Sequence, residues 1–175
     1  VMDFVLDGQE TAETFFSQYF ETSFLYMPLP HAQDSQRMFR NRNHQLFGLN
    51  KLRHLLTSHQ FTSDVLYYQD GRELYDQETI VDPFHDPEPK TIDDIDRHIS
   101  LGHTVLIKSV EAHDAEMLRF ACDLQNVFGF SIGINMYISP PNATGFRAHH
   151  DGHDLLIVQA DGQKCWKICE LPYEY

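Results

Sequence analysis

The sequence lacks the long apolar segments that mark membrane and secreted proteins. None of its 175 residues belong to an apolar run that approaches the roughly 20 residues needed to cross a bilayer. Residues 1–7 contain neither a positively charged stretch nor a long apolar stretch, so we expect no secretory signal there. These absences predict a cytoplasmic protein without a membrane partner.

Cysteine is also scarce. The three cysteines are Cys122, Cys165 and Cys169, and no two of them form a Cys-x-x-Cys pair. An odd number of cysteines argues against a disulfide framework. We therefore expect reduced cysteines packed within the protein.

Positive charge is the third shortage. There are 13 basic residues against 26 acidic ones, which gives a net charge of −13. An acidic surface repels phosphate backbones, so nucleic-acid binding is disfavoured. Such a surface suits a basic protein or peptide substrate, although many proteins are acidic only for solubility.

The residues that are present predict helices first and strands later. Phe15, Phe16, Tyr19 and Phe20 share one helical face after Thr11 or Thr14 as a cap, and a second helix is expected over residues 46–56. A third should begin at Thr91 and end at Gly102. The remaining predictions are strands over residues 65–69, 103–108, 130–138, 154–160 and 163–169, a hairpin turn at Asp161-Gly162, and a helix over residues 113–128.

A dense group of metal-ligating side chains lies between these strands. His149, His150, Asp151, His153 and Asp154 fall within six residues. In an extended segment side chains alternate, so His149 and Asp151 share a face and His150 points away. A neutral imidazole beside a carboxylate suits Fe(II), Mn(II) or Zn(II). His153 is the strongest internal competitor for the same metal.

The order of the elements around this pair resembles the JmjC-type cupin family of Fe(II)- and 2-oxoglutarate-dependent oxygenases, most closely its ribosomal-oxygenase-like branch. The matching motifs are Asn135-Met136-Tyr137, a Pro-containing loop that ends in Gly145, His149-His150-Asp151, Leu156-Ile157-Val158-Gln159, and Gly162-Gln163-Lys164-Cys165-Trp166. The resemblance covers about residues 102–171. The helical first third fits only loosely.

The resemblance implies a role for individual residues. His149 and Asp151 would be two ligands of Fe(II), and the third ligand, a His, is expected beyond Tyr175, with His153 in reserve. Lys164 would bind the distal carboxylate of 2-oxoglutarate through a charge-assisted contact. Asn135 and Tyr137 would lie near this cosubstrate. Trp166 is expected to pack inside the barrel.

The predicted fold is therefore a mainly β core with flanking helices, a double-stranded β-helix (cupin or jelly roll) that is incomplete at the C-terminus. Residues 1–100 would be a helical region that buttresses the barrel, and residues 101–175 would be its first part, together forming one structural domain. The resemblance implies a dioxygenase that hydroxylates a protein or peptide side chain or a small molecule. A homodimer is expected because related enzymes often dimerise.

Two other functions fit part of the sequence. A Zn-dependent hydrolase could use His149, Asp151 and His153 around a metal-bound water. It would leave Lys164 and the Asn-x-Tyr strand without roles. A cupin-like binding module without catalytic activity is the second alternative.

Overall fold

A computed structural model describes residues 2, 6, 10–27, 49–58, 65–74, 90–160 and 162–169 of the chain. Four α-helices and four strands are found there, with a short 3-10 helix at Val110–Ala112. The helices are α1 (Ala12–Gln18), α2 (Leu49–Ser58), α3 (Ile92–Ser100) and α4 (Ala115–Phe128). The strands are β1 (Val65–Gln69), β2 (Arg72–Glu73), β3 (Thr104–Ile107) and β4 (Met136–Ile138).

The four strands form one antiparallel sheet in the order β2-β1-β3-β4. Val105 pairs with Ile138 and Leu106 with Tyr137, while Tyr68 of β1 pairs with Thr104. Because side chains alternate along a strand, this register separates two faces. One face carries Val105, Ile107 and Ile138, and the opposite face carries Thr104 and Tyr137.

The first face packs against the helices and contains the main core. Buried side chains from α2, α3, α4 and the sheet contact one another there. The members buried most deeply are Leu55, Ile95, Val105, Ile107, Val110 and Met117. This layer fixes the position of β3, whose four residues are all buried. Because β3 also contributes side chains to the opposite face, the core fixes that face as well.

The helix ends follow the predicted local chemistry. Thr91 begins α3 with a reciprocal capping box to Asp94, and Gly102 follows the helix with a φ of +83°. Asp114 begins α4 by accepting hydrogen bonds from the backbone N–H groups of Glu116 and Met117. Thr11, one of the two candidate caps, begins α1. The predicted helix over residues 46–56 is found as α2, with residues 46–48 outside the described part.

Several predictions for the second half of the chain are wrong. Residues 154–160 and 162–169 contain no strand, so the two strands of the predicted hairpin are not found there, and Asp161 of its turn lies outside the described residues. The strand expected over residues 130–138 is confined to β4. Trp166 is 55% exposed instead of packed, and the three cysteines are exposed as well. An isolated hairpin is marginal in water because it needs further strands to bury its apolar face. Among the described residues, no strand pairs with these segments through backbone hydrogen bonds.

The sheet contains strands from both sides of residue 100, and the proposed boundary at that position stays a prediction. A sheet with helices on one face agrees with a cupin-type core, and the full double-stranded β-helix stays a prediction too. Within the described ranges, no helix is long and apolar enough to cross a membrane.

Candidate functional site

The candidate site lies on the sheet face that is turned away from the main helical core. Extending the β3–β4 register by one residue places Ser139 opposite Thr104, next to Tyr137 on the same face. The Thr104 hydroxyl donates to the Ser139 hydroxyl over 3.2 Å. Thr104 is fully buried, whereas Tyr137 is 45% exposed. This face therefore has a rigid polar base and an accessible aromatic edge.

Lys164 reaches this face from the C-terminal segment. Its ammonium donates to Ser139 Oγ over 3.2 Å and lies 5.5 Å from the ring centre of Tyr137 and 5.1 Å from that of Trp166. In the part of the chain that the structure describes, no carboxylate lies within ion-pair distance of this ammonium. Burial lowers the pKa of Lys164. A half-buried cation flanked by rings and a hydroxyl is suited to an anionic ligand.

His149 and Asp151 lie near each other in the loop that follows β4, and neither is part of a strand. His149 Nε2 and Asp151 Oδ2 are 3.8 Å apart, and both side chains are accessible. The other ring nitrogen, Nδ1, contacts the carbonyl oxygen of Arg147 at 2.6 Å. A carbonyl only accepts hydrogen bonds, so Nδ1 is the donor in this contact and Nε2 is the ring nitrogen that faces the carboxylate.

This arrangement fits two ligands of a divalent metal. A metal-ligating histidine usually donates its second N–H to a carbonyl or carboxylate, as His149 does here. Two ligand atoms that each lie about 2.1 Å from one ion, at right angles, would be about 3.0 Å apart. His149 Nε2 and Asp151 Oδ2, which are 3.8 Å apart, would therefore need to approach each other by about 1 Å or less. Among the described residues, no three His, Cys, Asp or Glu side chains are grouped to hold a metal. His153 therefore does not complete a cluster with His149 and Asp151, and the zinc-hydrolase alternative is not favoured.

Tyr137 connects Lys164 to the His149–Asp151 pair. Its ring makes an edge contact with Phe146 at 5.4 Å, and Phe146 lies 5.9 Å from the His149 ring. Burial raises the pKa of Tyr137, the nearby Asp151 carboxylate adds to this effect, and the Asn135 side chain opposes it. Tyr137 is thus kept as a neutral phenol that can donate a hydrogen bond.

Asn135 is held by the segment that follows β3. Its side-chain oxygen accepts a hydrogen bond from the backbone N–H of Ser109 over 3.2 Å. Ser109 has a φ of +54°, which turns the chain sharply after β3. The Asn135 amide is therefore held in place two residues before Tyr137.

The hairpin turn between β1 and β2 supports the segment that precedes the ligand pair. Gly71 forms a parallel bridge with Phe146, and the rings of Tyr68 and Phe146 are 4.3 Å apart. A Cβ at Gly71 would lie 2.6 Å from Arg147 Cγ and 2.9 Å from Arg147 N. The backbone at Arg147, whose carbonyl holds His149, is therefore packed directly on the turn.

Sequence reasoning missed Thr104, Ser139, Tyr68, Phe146 and Gly71. One signal was present for Ser139, which lies two residues after Tyr137 and so falls on the same strand face. The other contacts depend on which strands are paired and in which register. A single sequence does not specify that pairing.

The fold and the candidate site together consist of an antiparallel sheet with helices on one face and Lys164 on the other, with the His149–Asp151 pair in a loop beside Phe146. Residues 107–175 match the model of the JmjC domain family.

Curated relatives extend the likeness. The bifunctional lysine-specific demethylase and histidyl-hydroxylase NO66 of Drosophila mojavensis is 24% identical over 176 residues, which cover 94% of this chain and 17% of that protein. NO66 of Dictyostelium discoideum is 26% identical over 160 residues, which cover 89% of this chain and 28% of that protein. Ribosomal oxygenase 1 of Homo sapiens is 34% identical over 67 residues, which cover 38% and 10%. The chain thus spans between about a tenth and three tenths of the length of these relatives.

Proposed function

We propose that the chain forms part of an Fe(II)- and 2-oxoglutarate-dependent oxygenase that hydroxylates its substrate. The observation that carries this proposal is the half-buried Lys164 ammonium, which has no carboxylate partner among the described residues and lies on the same sheet face as Tyr137. The His149–Asp151 pair adjoins this face through Phe146. A metal-only site gives no reason for such a lysine.

The proposed roles follow from these positions. His149 Nε2 and Asp151 Oδ2 would hold Fe(II) together with a third ligand, which the family resemblance expects to be a His beyond Tyr175. Lys164 would bind the distal carboxylate of 2-oxoglutarate, and the phenol of Tyr137 would donate a hydrogen bond nearby, with Asn135 beside it. With both bound, dioxygen supplies one oxygen atom to the oxidative decarboxylation of 2-oxoglutarate to succinate and carbon dioxide, and the other to a substrate C–H bond.

A protein or peptide side chain is the substrate class that we favour. The named relatives include a histidyl-hydroxylase and a lysine-specific demethylase, both of which act on amino-acid side chains. The net charge of −13 would favour a basic peptide through long-range attraction. A small-molecule substrate, the cytoplasmic location, the lack of nucleic-acid binding and the homodimer stay predictions.

The test is succinate release by a polypeptide that contains this chain and the expected third ligand. Succinate should form only when Fe(II) and 2-oxoglutarate are both present. Lys164→Ala should raise the KM for 2-oxoglutarate by at least tenfold, because it removes a charge-assisted contact in a half-buried site. Lys167→Ala is the matched control, since this exposed lysine lies three residues further on and its loss changes the net charge equally.

Two results would contradict the proposal. One is zinc retained through purification with no binding of 2-oxoglutarate, which would return the hydrolase to consideration. The other is a Lys164→Ala protein with an unchanged KM, which would remove the role assigned to this residue.

A further inference from the structure

Glu73 lies on the same sheet face as the candidate site, at the opposite end of the sheet from Lys164. It pairs directly with Tyr68, and Tyr68 pairs in turn with Thr104. Directly opposite residues of antiparallel strands share a face, so these three side chains form a row across β2, β1 and β3. The β3–β4 register continues the row to Ser139, to which Lys164 donates a hydrogen bond. The face therefore has a carboxylate at one edge and an ammonium at the other.

The two charged groups are too far apart to neutralise each other. Neighbouring strands are about 4.8 Å apart, so the backbones at the two ends of this row are separated by about 14 Å. The adjacent Arg72 points to the opposite face, because side chains alternate along a strand. Among the described residues, no lysine, arginine or histidine lies within ion-pair distance of Glu73. Its negative charge is therefore available to a cation from outside.

The hydroxyl of Tyr68 holds the Glu73 carboxylate in place. It donates to Glu73 Oε2 over 3.3 Å, and this is the hydrogen bond that the described residues give to the carboxylate. The second oxygen, Oε1, is left to accept from another donor. Both side chains are partly buried, and β2 is the edge strand of the described sheet, so a ligand can reach the carboxylate from the side.

Tyr68 also connects Glu73 to the segment that carries His149. The Tyr68 ring lies 4.3 Å from the Phe146 ring, which in turn lies 5.9 Å from the His149 ring. The rings of Tyr68 and His149 are therefore no more than about 10 Å apart, a distance that about three residues of an extended peptide span at roughly 3.3 Å per residue. A peptide with its target residue at the His149–Asp151 pair can thus place a neighbouring side chain at Glu73.

We propose that Glu73 is a specificity-determining residue that binds a lysine or arginine side chain of the peptide substrate, close in sequence to the residue that is oxidised. This inference rests on the proposed function and assigns the recognition of a basic peptide to one carboxylate. A charge-assisted hydrogen bond is about twice as strong as one between neutral groups. The opposite charges at the two ends of the face also orient the ligands, because the dianion 2-oxoglutarate is attracted to Lys164 and a basic peptide to Glu73.

The experiment uses a mixture of short synthetic peptides of random sequence. The mixture is incubated with Fe(II), 2-oxoglutarate and a polypeptide that contains this chain and the expected third ligand. Succinate is measured, and mass spectrometry locates each added oxygen atom together with the residues around it. The wild type should favour peptides with lysine or arginine at one fixed position, within about four residues of the oxidised one, by at least about tenfold.

Three variants test the role of the carboxylate. Glu73→Gln keeps the shape of the side chain but removes its charge, and it should reduce this preference by about tenfold. Glu73→Lys should replace it by a preference for aspartate or glutamate at the same position, a reversal that a structural role would not produce. Tyr68→Phe keeps the ring against Phe146 but removes the hydroxyl, and it should reduce the preference by about threefold.

The matched control is Glu13→Gln. Glu13 is an exposed carboxylate on α1, and its replacement changes the net charge as Glu73→Gln does. This variant should keep the wild-type preference. Urea unfolding shows whether each variant is folded under the assay conditions. If Glu73→Lys is not folded, Glu73→Gln decides the outcome.

The outcomes distinguish the two proposals. If the wild type forms no succinate with Fe(II) and 2-oxoglutarate, the proposed function and this inference both fail. If succinate forms but no peptide is oxidised, or if Glu73→Gln keeps the full preference for a basic residue, only this inference is overturned. An equal loss of preference in Glu13→Gln would also overturn it, because the net charge and not Glu73 would then select the peptide.

Discussion

Replacing Gly71 by alanine should disturb the stability of the protein and the segment that carries His149 together. Gly71 has a φ of +73°, a backbone conformation that costs an L-amino acid about 1–2 kcal/mol. The new methyl group would also lie 2.6 Å from Arg147 Cγ and 2.9 Å from the Arg147 backbone nitrogen. The Arg147 side chain can move away from this contact, but its backbone is part of the bridge to the turn.

Gly102→Ala separates the cost of the backbone conformation from the cost of the contact with Arg147. Gly102 has a φ of +83°, and a Cβ there would have no neighbour within 4 Å. The Gly102→Ala variant should therefore lose only about 1–2 kcal/mol of unfolding free energy, the cost of the backbone conformation. Gly71→Ala should lose about 1–3 kcal/mol more, the usual range for overpacking. The difference between the two variants measures the contact between the turn and Arg147.

Two assays test this reasoning. Urea denaturation gives the free energy of unfolding of each variant. Limited trypsin digestion reports the backbone at Arg147, an exposed cleavage site, which should be cut faster in Gly71→Ala than in Gly102→Ala. Equal losses of stability together with equal cleavage rates at Arg147 would refute the claim that the turn supports the ligand segment.

The remaining predictions concern the helices. Lys51 lies 2.8 Å from Asp114 and 2.7 Å from Glu116, and because Lys51 and Asp114 are largely buried, Lys51→Met should cost about 2 kcal/mol of unfolding free energy at neutral pH. Burial acts to lower the pKa of Lys51 and to raise that of Asp114, but their hydrogen bonds outweigh it, so the Lys51 pKa ends above 10.5 and the Asp114 pKa below 3.8. The stability that the wild type gains over Lys51→Met should be constant between these two pH values. It should fall as pH drops through the lowered pKa of Asp114, and also as pH rises through the raised pKa of Lys51. A stability difference that stays flat from pH 2 to 12 in urea titrations would contradict this. Thr91→Ala removes one half of the capping box of α3 and should cost about 1 kcal/mol, whereas Thr91→Ser should cost only a few tenths; equal losses by thermal denaturation would show that the cap hydrogen bond contributes nothing.

The helices were predictable because their ends depend on neighbouring residues. Thr91 with Asp94 and Asp114 with the start of α4 are local devices, and a local pattern is sufficient to find them. The absence of strands over residues 154–160 and 163–169 was not predictable, because alternation of apolar and polar residues shows only that a segment can form a strand. Whether it does so depends on a partner strand, and that partner is a long-range property.

The candidate site residues were proposed from short motifs, and their roles stay predictions. The separation of His149 and Asp151 by one residue brought them within 3.8 Å, and the family resemblance led to Lys164 and Tyr137. Thr104 gave no signal, because a threonine that begins a buried strand is common. Its importance comes from the β3–β4 register, which places its hydroxyl against Ser139.

The ligand pair is held by side-chain and loop contacts instead of by a strand ladder. The Arg147 carbonyl orients His149, and Phe146 joins the ring to Tyr137 and to Tyr68 on the sheet. Each of these supports rests on β1, β3 or β4, which the helical core holds in place. The order of dependence therefore runs from the core to the sheet face, then to the aromatic contacts, and then to His149 and Asp151. A change in the sheet face should move these two side chains, whereas a change in the exposed segment of residues 154–160 should leave them in place.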